Sequence, residues 1–310
     1  MNILITGSNG YIGGRLVKYL SSFEVNKLFL SSRINIYLVN KKISSRQIDW
    51  NNTNDILNSC RNIDVVIHLA GMNSQYCRKF PDESKIFNVQ NTLKLFESAI
   101  KYNVKKFIFL SSIHVYGDKL VSNISEECLK KPVGPYAYLK SLAEDELLKL
   151  NKKEKLELYL LRLSNVFGSP ANNLSECWSL VFNDLTNQAI KTGKLLVKSN
   201  GDQMRNFMTM SDFCRSINHI ITTFDNNIKY NIFNIGGNKT LKISDVANII
   251  KVRSKNYISN VEINFMGLGS NKKENYFDYN ISRFLSTGFE FKKDFNEELD
   301  ELLQFIKINF

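Results

Sequence analysis

Apolar and polar positions switch between two periods along the first half of the chain. Asn2-Ile3-Leu4-Ile5-Thr6 is a short apolar run that reads as a buried strand. Ile12, Leu16, Val17 and Leu20 then recur at helical spacing. Lys27 to Leu30 predicts a second strand, and Val65 to Ala70 a buried one that ends at Gly71. Ser84 to Tyr102 carries a helical stripe through Phe87, Leu93, Phe96 and Ile100. Lys106 to Leu110 is again strand-like and runs into Ser111-Ser112, residues 137–150 read as a long helix rich in Leu, Ala and Glu, and Leu158 to Leu163 is a further strand. Strands separated by helices predict an α/β fold with a doubly wound parallel sheet.

Beyond Gly168 the alternation weakens, and residues 169–205 and 237–310 are richer in loops, Asn and charge. Met210 to Ile221 reads as a helix and Tyr230 to Ile235 as a strand that returns to the sheet. The expected division is a dinucleotide-binding domain of residues 1–168 plus about 207–236, and a smaller α/β substrate-binding lobe of residues 169–206 plus 237–310.

Between the first strand and the first helix lies Gly7-Ser8-Asn9-Gly10-Tyr11-Ile12-Gly13. Strand, glycine turn and helix together let backbone N–H groups and a helix N-terminus hold a pyrophosphate. Glycine is needed wherever a side chain would keep the backbone from the phosphates. This points to a Rossmann-type dinucleotide site, held by Gly7, Asn9, Gly10, Tyr11, Ile12 and Gly13. In such sheets ligands gather at the carboxyl ends of the strands, where Gly7, Gly71, Ser112 and Asn165 all fall.

Pro135-Tyr136-Ala137-Tyr138-Leu139-Lys140 places a Tyr and a Lys four residues apart, one turn of a helix and on one face. A phenol ionises near ~10 and is a poor base at neutral pH, whereas a nearby ammonium favours the phenolate. A serine hydroxyl from the Ser111-Ser112 pair would hydrogen-bond the oxygen of an alcohol or ketone. Such a trio moves a proton on and off an alcohol while a nicotinamide cofactor exchanges hydride. In a chain with 13 Tyr the spacing alone is common, and the strand-end context gives it meaning.

The chain has 310 residues, is 43% apolar, and carries a formal net charge of +11. A Lys- and Asn-rich composition accounts for the charge, and a positive field also suits nucleotide phosphates. No basic run is dense enough for a nucleic-acid tail, and no nucleic-acid partner is expected. No apolar run reaches the roughly 18 residues a membrane helix needs. The strand-like start runs straight into the glycine turn and leaves no room for a signal peptide. Cys60, Cys77, Cys128, Cys177 and Cys214 are scattered and form no C-x-x-C, which suggests reduced thiols in a cytoplasmic protein. His68, His114 and His219 lack metal-ligand spacing, so no metal site is expected; His68, inside an apolar run, reads as a packed core residue.

Taken together, Thr6 to Gly13, Val65 to Gly71, Asn88-Val89, Ser111 to Gly117, Pro135 to Lys140, Leu161 to Gly168 and Arg205 to Asp212 resemble an extended short-chain dehydrogenase/reductase of the NAD(P)-dependent nucleotide-sugar epimerase/dehydratase/reductase group. The resemblance covers nearly the whole chain. It implies a catalytic Ser112, Tyr136 and Lys140. It places Leu69, Ala70, Gly71 and Asn88 near the cofactor and Asp49-Trp50 at the adenine. It assigns Asn73, Asn165, Asn173 and Arg205 to the sugar nucleotide, with Arg205 suited to a bidentate grip on a diphosphate. It also implies a homodimer and a nucleotide-diphosphate sugar as substrate.

Two departures carry information. After the second strand, an acidic residue would hold the ribose 2′-hydroxyl of NAD, but this chain has Ser31-Ser32-Arg33. Ser32 and Arg33 suit a 2′-phosphate and favour NADP, with NAD as the alternative. Dehydratases of the group carry an acidic pair just after the catalytic hydroxyl residue, where Ile113 and His114 stand here. That argues against dehydration. The leading expectation is reduction of a 4-keto sugar nucleotide by NADPH in surface-polysaccharide biosynthesis, with Tyr136 as proton donor. The alternative is a nucleotide-sugar 4-epimerase with retained NAD, and a non-catalytic dinucleotide- or RNA-binding scaffold is the third reading.

Overall fold

The computed structural model describes residues 1–23, 27–32, 42–118, 122–154, 156–224, 228–267 and 277–310. They form two compact units: Met1–Lys119 with Glu126–Leu163 and Ile217–Asn234, and Leu120–Ser125 with Ser164–Ser216 and Ile235–Phe310.

The first unit is built on strands β1 (Asn2–Thr6), β2 (Lys27–Ser32), β3 (Ile43–Gln47), β4 (Val65–His68), β5 (Lys106–Ser112) and β6 (Glu157–Leu163). With β7 (Ile232–Ile235) they make a seven-stranded sheet in the order β7-β6-β5-β4-β1-β2-β3. The six strands from β3 to β6 pair in parallel. The strand order reverses at β1, and the glycine turn follows β1 directly. Ile3, Leu4 and Ile5 have no exposed surface because both faces of β1 are covered, which is why the run is apolar throughout rather than alternating.

The helices of this unit are α1 (Tyr11–Leu20), α2 (Thr53–Asn58), α3 (Ser74–Lys79), α4 (Pro81–Lys85), α5 (Asn91–Lys101) and α6 (Pro135–Asn151). Leu4, Ile56, Val66, Phe96, Ala99, Phe107, Leu139, Ala143, Leu147 and Leu158 form one core cluster, which packs α2, α5 and α6 onto the sheet. Pro135 at the first helical position of α6 fixes the entry of that helix, since its missing N–H has no intrahelical partner to lose. The helix expected over residues 84–102 is interrupted: Ile86–Gln90 forms a π-turn between α4 and α5.

The second unit holds a three-stranded sheet. Asn165–Phe167 runs parallel to Met204–Thr209, which pairs antiparallel with Lys239–Lys242. Helices Val181–Thr192, Ile243–Ser254 and Phe295–Asn309 enclose Phe167, Phe182, Phe207, Val246, Leu299 and Leu303. Phe167 and Phe182 stack with ring centroids 4.0 Å apart.

This part of the chain differs from the sequence reading in two ways. Segments read as loop-rich contain helices Val181–Thr192, Ile243–Ser254, Ser282–Leu285 and Phe295–Asn309, whose apolar stripes are diluted by polar residues on their outer faces. The units divide between Leu163 and Ser164 rather than at Gly168, and residues 207–216 join the second unit rather than the first. The cause is strand pairing: Asn165 sits opposite Phe207 and Phe167 opposite Thr209.

Candidate active site

The glycine turn is shaped by close backbone approach. Gly7 has φ +69°, and a Cβ there would lie 2.8 Å from the Ala70 nitrogen. A Cβ on Gly13 would lie 2.1 Å from the Gly7 carbonyl oxygen, so the third glycine lets α1 close onto the turn. Gly10 donates to Gly7 O at 3.0 Å and stands at the N-cap of α1. That helix has no side-chain cap and no acidic residue in its first turn. A helix N-terminus built this way favours an anion. The cradle therefore fits a dinucleotide pyrophosphate, and Gly7, Asn9, Gly10, Tyr11, Ile12 and Gly13 would hold it.

The turn is tied to the end of β4 through His68, which is 1% exposed. The Ala70 N–H donates to Thr6 Oγ1 at 3.2 Å. Thr92 Oγ1 donates to Asn88 O at 3.0 Å and lies 2.8 Å from His68 Nε2. Thr6 Oγ1 lies 2.7 Å from His68 Nδ1. These donors fit together with the proton on Nε2, so the ring donates to Thr92 and accepts from Thr6. Burial, helped by the Lys140 charge, pulls the imidazole down to about 3. It stands neutral in the core, as its place in an apolar run implied.

Asn88 lies within the π-turn, a feature that concentrates at functional sites. Its side chain accepts from Met72 N at 2.7 Å and donates to Met72 O at 3.1 Å. That double clamp fixes the loop after Gly71. A Cβ on Gly71 would stand 3.5 Å from Lys140 Nζ and 3.6 Å from Asn88 Oδ1, so the loop borders both side chains.

Ser112 ends β5, and Tyr136 and Lys140 lie one turn apart on α6. The Ser112 hydroxyl stands near the Tyr136 phenol and favours its ionised form. It also accepts from His114 N at 3.3 Å, capping the turn Ile113–Tyr116. Ser111 points elsewhere, donating to Glu144 Oε1. Lys140 Nζ donates to Leu110 O at 2.8 Å and stands 6.0 Å from the centroid of the Tyr136 ring.

The electrostatics correct one expectation. Burial pushes the Tyr136 phenol up to about 12, opposed by the neighbouring Ser112 hydroxyl. Burial, not the Lys140 charge, sets the phenol, and the ammonium is itself buried and turned to the Leu110 carbonyl. Burial pulls Lys140 down to about 8, against the pull of Cys77 and Glu144 in the other direction.

The remaining expected residues are distributed as follows. Ser32 closes β2, and Arg33 lies outside the described residues. Asp49 Oδ1 accepts from Asn51 N at 2.9 Å in the turn after β3. Trp50 packs on Phe87 and His68, with centroids 5.3 Å and 6.1 Å away. Asn73 caps α3 by accepting from Tyr76 N. Asn165, Asn173 and Arg205 belong to the second unit. Asn165 donates to Asn206 O at 3.1 Å, and Arg205 lies two positions before Phe207, the strand partner of Asn165. Asn173 is exposed in a loop.

Sequence reasoning missed Glu144 as a site residue. It has no exposed surface and takes hydrogen bonds from Ser111 and Arg162. A signal existed: Arg162 interrupts an apolar strand, and an arginine there demands a buried acceptor. Cys77 was also missed; it is fully buried and accepts from Asn88 Nδ2 at 3.4 Å.

Over residues 3–236 the chain matches the NAD dependent epimerase/dehydratase family. It belongs to that family. A putative UDP-glucose 4-epimerase of Methanocaldococcus jannaschii is 27% identical over 260 residues, covering 80% of this chain and 81% of its own. The dTDP-D-glucose 4,6-dehydratase of Mus musculus is 24% identical over 330 aligned positions, covering 99% of this chain and 89% of its own. The Bacillus cereus UDP-glucuronic acid 4-epimerase in complex with NAD has the same fold, with a TM-score of 0.84 at 24% identity over 100% of this chain and 97% of that one. The family member described here is thus an enzyme of the extended short-chain dehydrogenase/reductase type. Among the described residues, no helix is long and apolar enough to cross a membrane.

Proposed function

We propose that this enzyme interconverts the C4 epimers of a UDP-linked sugar, with NAD retained through the cycle. The observation that carries the reading is the Ser112 hydroxyl at the end of β5 beside the Tyr136 phenol, with Lys140 one turn along α6. When bound, a nicotinamide ring supplies a site that accepts a hydride and gives it back. Tyr136 takes the proton of the C4 hydroxyl and returns it to the C4 oxygen. Ser112 hydrogen-bonds that oxygen in both the alcohol and the ketone. Lys140 holds positive charge beside the phenol and is placed to bind the ribose hydroxyls.

The phenol at about 12 is protonated at rest, as a proton donor must be. To act as a base it needs a further positive charge nearby, and the oxidised dinucleotide carries one.

Epimerisation is favoured over reduction by the comparisons. The Methanocaldococcus jannaschii relative is named as a putative UDP-glucose 4-epimerase, and the Bacillus cereus structure is of a 4-epimerase with NAD. NAD accordingly replaces the NADP expected from Ser32 and Arg33. Dehydration is disfavoured by Ile113 and His114, since neither is a carboxylic acid. His114 presents its ring edge-to-face to Tyr136, with centroids 6.5 Å apart, where an acid would stand.

The test is a panel of UDP-glucose, UDP-glucuronic acid and UDP-N-acetylglucosamine incubated with the purified protein without added dinucleotide. Conversion of at least one to its C4 epimer is the expected result. Turnover seen only with added NADPH and a 4-keto sugar nucleotide would overturn the reading in favour of reduction.

A further inference from the structure

Three residues on one face of α6 meet the last three residues of β5. Tyr136 stands beside the Ser112 hydroxyl, which favours its phenolate. Lys140 Nζ donates to Leu110 O at 2.8 Å. Glu144 Oε1 accepts from Ser111 Oγ at 2.5 Å. Positions 136, 140 and 144 are successive turns of the helix, so the three contacts, two of them hydrogen bonds, form a ladder between helix and strand. The first two rungs are the proton-transfer groups. The third has no place in the chemistry.

We propose that Glu144 is a positioning residue, which locks the end of β5 against α6 and so holds Ser112 and Lys140 in register with Tyr136.

The anchoring of Glu144 suits that role. Arg162 on β6 grips both carboxylate oxygens, with Nε at 3.1 and 3.2 Å and Nη2 at 2.7 Å from its acceptors. Arg162 Nη1 donates to Tyr116 Oη at 2.8 Å, and Tyr116 Oη donates to Asn234 Oδ1 at 2.7 Å. Lys130 Nζ approaches Glu144 Oε2 at 3.5 Å. Both members of the Glu144–Arg162 pair are almost fully enclosed, with side-chain exposures of 0% and 4%. A buried ion pair is seldom the cheapest way to stabilise a core, and its best-attested use is to fix one arrangement among several. Here the arrangement fixed is that of β5, β6, α6 and the turn after Ser112. A displacement of about 1 Å at a reacting group can cost on the order of a hundred-fold in rate.

The charge of Glu144 acts on the same ladder. The groups that face Lys140 are Glu144 and Tyr136 on α6, Cys77 on α3 and neutral His68 on β4. Among these, Glu144 is the carboxylate, and it favours the ammonium form of Lys140 against the burial that opposes it.

The proposal rests on the epimerase reading for its kinetic arm only. Two variants test it. Ser111→Ala removes one rung and leaves the Glu144–Arg162 pair intact, so the fold is retained. We expect kcat to fall about ten-fold with KM within about two-fold, and Ser111→Thr, which keeps the hydroxyl, to restore most of it. Glu144→Gln removes the charge with little change of shape. In protein labelled with 15N-lysine, its Lys140 Nζ resonance, assigned by Lys140→Arg, should titrate about half a pH unit or more below the wild-type midpoint.

Wild-type kcat in Ser111→Ala, or an unmoved Lys140 midpoint in Glu144→Gln, overturns the proposal. The titration needs no substrate. If no sugar nucleotide is turned over, the epimerase reading fails while the Lys140 midpoint still decides the role of Glu144.

Discussion

Lys140 Nζ donates a 2.8 Å hydrogen bond to the carbonyl oxygen of Leu110, two residues before Ser112. The bond joins the middle of α6 to the end of β5, so the lysine is fixed by the same strand that presents the Ser112 hydroxyl. Phe109 lies beneath the ammonium, with its ring centroid 4.8 Å away. The lysine is thus preorganised, with its charge buried. Replacing it with methionine, which keeps most of the packing, should lower kcat by about a hundred-fold or more. Steady-state kinetics on the converted sugar nucleotide would show it.

Confinement also sets a pH limit. Lys140 titrates at about 8, well below its ordinary value, because burial penalises the ammonium. The charged form is present below that pH and is lost above it. Activity that depends on the ammonium should therefore fall as pH rises through about 8 in the enzyme free of substrate. The pH profile of kcat/KM reads this directly, since it reports groups of the free enzyme. A plateau extending to pH 10 would contradict the assignment.

His68 gives a prediction about stability. Its imidazole is held near 3 in the folded state, against an ordinary value of about 6.5. Between those values the unfolded chain binds a proton that the folded chain excludes. The contribution is fully present above about 6.5 and is lost as pH falls below it, at up to about 1.4 kcal/mol per pH unit. Urea unfolding at pH 7.5 and pH 5 should show a stability loss that is smaller in His68→Asn. That variant should also be less stable at pH 7.5, since Thr6 and Thr92 lose their shared partner.

Gly13 tests the cradle. A Cβ there would fall 2.1 Å from the Gly7 carbonyl oxygen, and that neighbour is backbone rather than a flexible side chain. Gly13→Ala should push α1 away from the turn and weaken dinucleotide binding by at least about ten-fold. Isothermal titration with NAD measures it, and unchanged affinity would remove the turn from the binding site.

Much of this arrangement was legible in the sequence. The buried parallel strands announced themselves as continuous apolar runs, and the glycine spacing named the turn after β1. The Tyr136–Lys140 spacing placed both on one face of α6. What was hidden depends on contacts distant in the chain. The π-turn at Asn88 leaves no mark on a helical stripe, because one extra residue shifts the register without changing composition. The third rung required knowing that Arg162 and Glu144, eighteen positions apart, meet across β6 and α6. The division between units followed the pairing of Asn165 with Phe207, which no local pattern predicts. The effect of Lys140 on Tyr136 was misjudged because spacing gives proximity but not burial.

Tyr136 is the proposed proton-transfer group. The most direct measurement compares Tyr136→Phe with the wild type in two assays: conversion of the sugar nucleotide and binding of NAD. The phenol hydroxyl is the only group removed, and its neighbours Ser112 and Lys140 remain. Turnover should fall by at least about a hundred-fold while NAD affinity stays within about two-fold. Turnover undiminished in Tyr136→Phe would contradict that role.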